Sequence, residues 1–330
     1  MARRKQTKAR ALAPAVMKMY FVADANASQA IVSISHSASR MNRRFYRQGL
    51  NWAVKNVSVT TLSALTPALG SVAYVNTIPH TWASANAWMK SYSLWKRQQD
   101  EALANSDSEE TVARFRDFKI SMESGHTVGT DLSPVNMGPG RIVGPFPTHV
   151  VTSGPVAASE DWEPSEIVIP NDGAPGVTNQ YLLHMVGPHV AATSKGLIQG
   201  YADSRAVPTS PDPAGPNVFN SWMQEMFDVG EDTGYVTNNA QNTNDELPYD
   251  QLDYPGGDAN LVQLETQAFN LNQSTIGRNT FNTGSFTAPC GLIRFDFYGQ
   301  DPADNEKNII CVELVPGSAR GYLTETMEEF

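Results

Sequence analysis

Leu50, Trp52 and Val54 alternate with polar or small residues, and after a three-residue step Val57 and Val59 resume the alternation. A period of two reads as a strand with one buried face, and the odd step predicts a bulge near Lys55–Asn56. In Leu292–Tyr298 the apolar Ile293, Phe295 and Phe297 share one face, while Arg294 and Asp296 take the other. Ile309–Val315 is apolar on both faces except at Glu313, the pattern of a central strand. The same reading places strands at Ala30–Ser35, Ser71–Ile78, Arg141–Thr152, Glu166–Ile169, Gln180–Val186, Gly196–Arg205 and Leu261–Phe269.

Two stretches carry a helical period instead. Trp88, Tyr92 and Trp95 fall at i, i+4 and i+7, one face of a helix. Ser106 and Glu109 then have capping-box spacing ahead of Val112, Phe115 and Phe118, so a helical insertion is expected over about 82–118. A second helix is expected over Val218–Phe227 with Asn217 as its N-cap, followed by a long polar loop over about 228–258. Short strands separated by loops, drawing on 24 Gly and 21 Pro, argue for an all-β protein. The βαβα rhythm of a doubly wound sheet is missing. With loops this long and unequal, the expected architecture is a single jelly-roll β-sandwich over 28–330, with inserted helices and a basic N-terminal arm over 1–27.

Charge changes the picture more than composition does. The net charge of −10 hides a polarity: residues 1–55 hold eleven Lys/Arg and one acid, whereas residues 120–330 hold seven bases and 27 acids. A basic arm on an acidic body is expected to meet a polyanion. Arg3, Arg4, Lys5, Lys8, Arg10 and Lys18 lie in the arm. Arg40, Arg43, Arg44 and Arg47 form a second cluster, interleaved with Phe45 and Tyr46. Charge that attracts phosphates combined with rings that stack on bases suits a nucleic acid, so these ten basic residues are the candidate binding set. The bland counterpart is a solvated turn. Ala2–Arg10 is similar to the start of a histone tail, but no histone-fold helices follow.

Catalytic and metal chemistry finds little support. Gly138–Gly144 is followed at once by Pro145 and Pro147, so no helix can begin where a phosphate loop needs one. Ser93 and Lys96 have S-x-x-K spacing without the companion motifs of acyl-transfer enzymes. Cys290 and Cys311 cannot build a four-cysteine zinc site, and the six histidines lack H-E-x-x-H or H-x-H spacing. The acids at Asp245, Glu246, Asp250, Asp253 and Asp258 miss the register of a calcium loop and read as solvated, with a cation between subunits as the alternative. The Trp88–Trp95 stripe reads as helix packing rather than a base platform. The expectation is therefore no enzyme, no cofactor, no metal and, with no run of 18 apolar residues, no membrane span.

Three segments carry a resemblance. Ala288-Pro289-Cys290-Gly291-Leu292-Ile293 leads into a strand, Val315-Pro316-Gly317-Ser318-Ala319-Arg320-Gly321-Tyr322 ends another, and Asp245-Glu246-Leu247-Pro248-Tyr249-Asp250 follows Trp222–Asp228. Together they resemble capsid proteins of small circular, Rep-encoding single-stranded DNA viruses. The resemblance implies a viral coat that self-assembles into an icosahedral shell of roughly sixty copies or a multiple. It also implies an inward basic arm on a single-stranded DNA genome, residence in the virion and assembly in the host nucleus. The arm here departs from the dense arginine arms of many such coats, with five basic residues in its first ten. A small RNA-virus coat and a non-viral, histone- or chromatin-binding chaperone-like sandwich remain the alternatives, and the host receptor is unassigned.

Overall fold

The computed structural model describes residues 15–24, 28–61, 70–106, 116–126, 131–137, 151–152, 163–170, 178–190, 192–205, 264–273, 279–300 and 307–328. Two compact units divide the chain. The first joins Met1–Thr77, Val128–Glu163 and Glu265–Met327; the second joins Ile78–Thr127, Pro164–Leu264 and Glu328–Phe330.

Strands dominate the first unit, which is all-β apart from one short helix and one 3-10 turn among the described residues. In chain order they are β1 (Lys18–Asp24), β2 (Gln29–Ser33), β3 (Leu50–Thr61), β4 (Ser71–Thr77), β5 (Asn136–Met137) and β6 (Val151–Thr152). After the segment belonging to the second unit come β10 (Glu265–Asn272), β11 (Asn279–Asn282), β12 (Phe286–Ala288), β13 (Leu292–Tyr298) and β14 (Lys307–Leu314). Three short strands close the series, β15 (Pro316–Gly317), β16 (Gly321–Tyr322) and β17 (Thr324–Thr326). One sheet, here sheet A, runs β1-β14-β3-β11 with β12 and β17 also paired to β3, and the other, sheet B, runs β10-β4-β13-β2. Every pairing in both is antiparallel.

Alternation decides which residues meet between the sheets. Met19, Phe21, Trp52, Val54, Val57, Val59, Ile310 and Val312 of sheet A share one buried cluster with Val32, Val75, Ile293, Phe295 and Phe297 of sheet B. The bulge falls where the broken period placed it. Asn56 pairs with Glu313 and Val54 with Leu314, so Lys55 is the extra residue that carries β3 from even to odd inward positions. Strand β14 lies between β1 and β3, as its two apolar faces predict. Ahead of β13, Cys290 (φ 55) and Gly291 (φ 65) turn the chain against Trp52. A Cβ on Gly291 would sit 3.0 Å from the Trp52 ring, so only glycine fits both the dihedral and the contact.

The second unit contains helix α2 (Trp82–Asn105), strands β7 (Glu166–Pro170), β8 (Thr178–His184) and β9 (Ser194–Gly196), and helix α3 (Leu197–Arg205). Strand β8 pairs antiparallel with β7 and parallel with β9. The Thr81 hydroxyl caps α2 by accepting the Ser84 N–H at 3.3 Å. Trp88, Tyr92 and Trp95 line one side of α2, Trp88 and Tyr92 stacked at 5.0 Å, and all three surround Phe118 at 5.5 to 5.8 Å. Trp88, Trp95 and Phe118 are buried, so the stripe serves packing.

Several expectations change. Lys18–Asp24 was expected in the arm, yet it is strand β1, because Met19, Phe21 and Ala23 alternate inward. Ala30–Ser35 ends as a strand at Ser33 and continues as helix α1 (Ile34–Asn42). Of the strand expected over Gly196–Arg205, only Gly196 is strand, and Leu197–Arg205 is helical, since Leu197 and Tyr201 stand one turn apart and the Tyr201 ring meets Trp82 at 6.1 Å. Ser106 is the C-cap of α2, which ends at Asn105, and the helical continuation expected after it falls on residues 107–115, outside the described residues. The expected helix at Val218–Phe227, the polar loop at 228–258 and most of Arg141–Thr152 lie outside the described residues.

Candidate nucleic-acid interface

The second arginine cluster gathers where α1 ends, within the first unit. Arg43 is the C-cap in the left-handed region (φ 52, ψ 42), a position that favours glycine and costs another residue about 1 kcal/mol. The Arg43 and Arg44 N–H groups both donate to the Ser39 carbonyl. The Ser39 hydroxyl donates to the Ser35 carbonyl at 2.7 Å and accepts the Tyr46 N–H at 2.9 Å, which folds residues 43–46 back against the helix. Cations at this end also meet the negative pole of the helix.

A second turn brings in a residue the sequence reading had not placed in the binding set. Arg320, also left-handed at φ 53, donates from its guanidinium to the Phe45 carbonyl. Its own carbonyl accepts the Tyr46 hydroxyl at 3.1 Å. Arg43, Arg47 and Arg320 are exposed and Arg44 half-buried. Among the described residues neither Arg43, Arg44 nor Arg320 faces a carboxylate in an ion pair. Arg40 donates to the Ser133 hydroxyl at 2.9 Å. The only sequence signal for Arg320 is a lone base in a Gly/Pro turn of the acid-rich part of the chain.

The start of the described chain is clamped to the same place. Asn42 accepts the Val16 N–H through Oδ1 at 2.9 Å and donates through Nδ2 to the Ala38 carbonyl and, at 2.7 Å, to the Tyr322 hydroxyl. Tyr322 in turn donates to the Val16 carbonyl at 2.6 Å. Burial pushes the Tyr322 phenol above its usual range, so it keeps the proton it donates. Gly321 (φ 110) lies so close to Ala15 that a Cβ would stand 2.6 Å from the Ala15 Cβ.

Of the other candidates, Arg3, Arg4, Lys5, Lys8 and Arg10 lie outside the described residues. Lys18 is on the outer side of sheet A, where it shares Glu313 with Lys55 at 3.3 and 2.7 Å. That pairing holds the Glu313 carboxyl below the usual range, Lys55 contributing most, and raises the Lys18 ammonium. Tyr46 does not offer a stacking face, because its ring is buried against Trp52 and Tyr322 at 5.8 and 5.4 Å. Among the described residues, no three His, Cys, Asp or Glu side chains gather as metal ligands, and no helix is long and apolar enough to cross a membrane. His184 is fully buried, and that burial pushes its imidazole below the usual range. Comparison with family models, with curated proteins and with solved structures finds no match for this chain.

Proposed function

We propose that the chain is a structural coat protein that encloses a nucleic-acid genome, of the kind found in small circular, Rep-encoding single-stranded DNA viruses. The clamp at Ala15–Val16 carries this reading. It roots an arm with five bases in its first ten residues beside Arg43, Arg44 and Arg320, so two basic segments far apart in sequence act on one phosphate backbone. Counterion release from those contacts supplies affinity without base specificity.

The strand order supports a jelly roll as the architecture of the first unit. Strands β1, β2, β3 and β4 alternate between sheets A and B, β10 stays in sheet B, and β11, β13 and β14 alternate again. The resulting orders, β1-β14-β3-β11 and β10-β4-β13-β2, are those of two interleaved Greek keys.

Self-assembly draws its support from the outer side of sheet B. Phe269, Leu271 and Tyr298 are 67%, 50% and 52% exposed there, and Tyr74 joins Phe269 and Tyr298 at 6.2 Å. The partner we assign is a second copy of this chain. Identical copies carry identical charges, so they meet at no electrostatic cost where a patch is uncharged. Two such rings expose roughly 100 Å² each, so a pair of patches buries several hundred Å², a contact of modest size that a closed shell repeats many times.

Electron microscopy of the purified protein should reveal closed particles containing nucleic acid. Deletion of residues 2–14, which stops short of the clamp, should leave the fold intact and lower the nucleic-acid content. Unchanged content overturns the packaging role; small oligomers that bind histones favour a chaperone. Arg43→Gly separates charge from fold. It relaxes the left-handed position, so stability should hold or rise by about 1 kcal/mol. At the same time, the salt dependence of single-strand binding should fall by about 0.7 in log–log slope.

A further inference from the structure

His184 ends strand β8 in the second unit and is fully buried. Gly196 of β9 pairs with it on one side, and Ser121 bridges to it. The chain then turns at Gly187 (φ 95) and comes back over the ring, where the Pro188 carbonyl lies 3.1 Å from Nε2. A carbonyl oxygen only accepts, so Nε2 carries the proton of the neutral ring. Nδ1 is buried as well and has no hydrogen-bond partner among the described residues. A second proton would therefore place a charge and a new donor where nothing receives them. We propose that His184 is an acid-operated latch: charging its ring releases the turn that crosses it and, with that turn, the pairing of β8 with β9.

The turn is built to move with β9. A Cβ on Gly196 would stand 2.5 Å from the Gly187 carbonyl oxygen, so no side chain separates the two backbones. His189 Nδ1 accepts the Gly196 N–H at 2.9 Å, and Val190 and Ser194 exchange backbone bonds at 3.0 Å. Ala192 lies at φ 112, a strained conformation that opening relieves. Burial is the main force that keeps the His184 imidazole below its usual range, and His189 adds to it from the turn. The Pro188 and Gly187 carbonyls, and Glu123 from the 121–126 segment, pull the other way without prevailing. In that segment His126 is turned to the Met122 N–H, and Lys195 of β9 lies over the Tyr181 ring. A group lowered on folding contributes stability above its ordinary range, and that stability is lost as pH falls through the range towards the lowered value. The latch is thus closed at neutral pH and opens in acid.

Amide hydrogen exchange of the full chain tests this, read by mass spectrometry at pH about 7.5 and about 5 and corrected for intrinsic rates. Peptides spanning 182–196 should lose protection about tenfold or more in acid, since each pH unit below the ordinary histidine range favours the open, charged form about tenfold. His184→Gln keeps a side-chain donor for Pro188 and does not titrate, so it should abolish that loss. Where a melting curve shows the variant unfolded, exchange of the histidine C2 hydrogens in the unmodified chain decides. His184 should then charge over the same pH interval in which 182–196 opens. Protection that holds in acid, an acid loss that persists in folded His184→Gln, or a ring that charges outside that interval each overturns the proposal. These readouts concern the second unit by itself and do not depend on whether the chain forms a shell.

Discussion

The two large sheets of the first unit, A and B, share one core, yet their outer faces are finished in opposite ways. On sheet A the outward residues satisfy one another. Lys18 and Lys55 share Glu313, Lys307 meets Asp24 at 2.9 Å, Asn56 bonds Asn282 and Thr60 bonds Thr280. On sheet B, one end of the outer face holds a comparable network, with Asp296 accepting from Asn76 at 2.6 Å and Arg294 at 3.0 Å. The other end exposes Phe269, Leu271 and Tyr298 with no charge among them. Two of these residues lie on β10, an edge strand that pairs only with β4 among the described residues. An edge strand bearing exposed apolar residues invites pairing with another chain, and natural proteins blunt such edges unless they use them. The same period of two thus builds one face whose polar groups satisfy one another and one face that leaves apolar side chains exposed.

Charging the apolar end should have the largest effect. Phe269→Asp with Leu271→Asp places like charges on both copies of the contact, so closed particles should disappear from electron micrographs and sedimentation profiles while the subunit stays folded. Particles formed as by the unmodified chain would show that the sheet B patch is not a subunit contact.

A pair of truncations on sheet B separates its two sides. Phe295→Ala removes a fully buried ring from the shared core and should cost about 3–5 kcal/mol. Phe269→Ala, on the outer side, should change stability by less than about 0.5 kcal/mol. Denaturant melts of both variants read the difference, and equal losses would mean that the outer ring is already buried within one subunit.

The smallest effect lies on sheet A. Glu313 has its carboxyl lowered in the folded state, so the stability it contributes is present above the ordinary carboxylate range and is lost as pH falls through the lowered value. Lys18 is raised, so its share is present below the ordinary lysine range and lost as pH rises through the raised value. Lys55→Met should move the Glu313 titration upward in an NMR pH series and leave assembly intact. A Glu313 titration unchanged by the substitution would mean that the pair does not persist in solution.

By itself the sequence determined what a side-chain period can hold. Strand β13, the central character of β14, the extra residue at Lys55 and the packing stripe on α2 were all legible, because each depends on residues a few positions apart. Tertiary structure decided what depends on distant partners. Lys18 is a strand residue because β1 pairs with β14, placing it opposite Glu313, and basic charge nearby concealed that alternation. Tyr46 is a core residue because Trp52 and Tyr322 surround it, although its neighbours read as a binding turn. Helix α3 displaced an expected strand because the contact of Tyr201 with Trp82 rewards a one-turn spacing. Arg320 joins Arg43 and Arg44 only because the β15–β16 turn folds onto the end of α1. Local period is written in adjacent residues, whereas the free energy that selects a pairing comes from apolar surface buried between segments hundreds of residues apart.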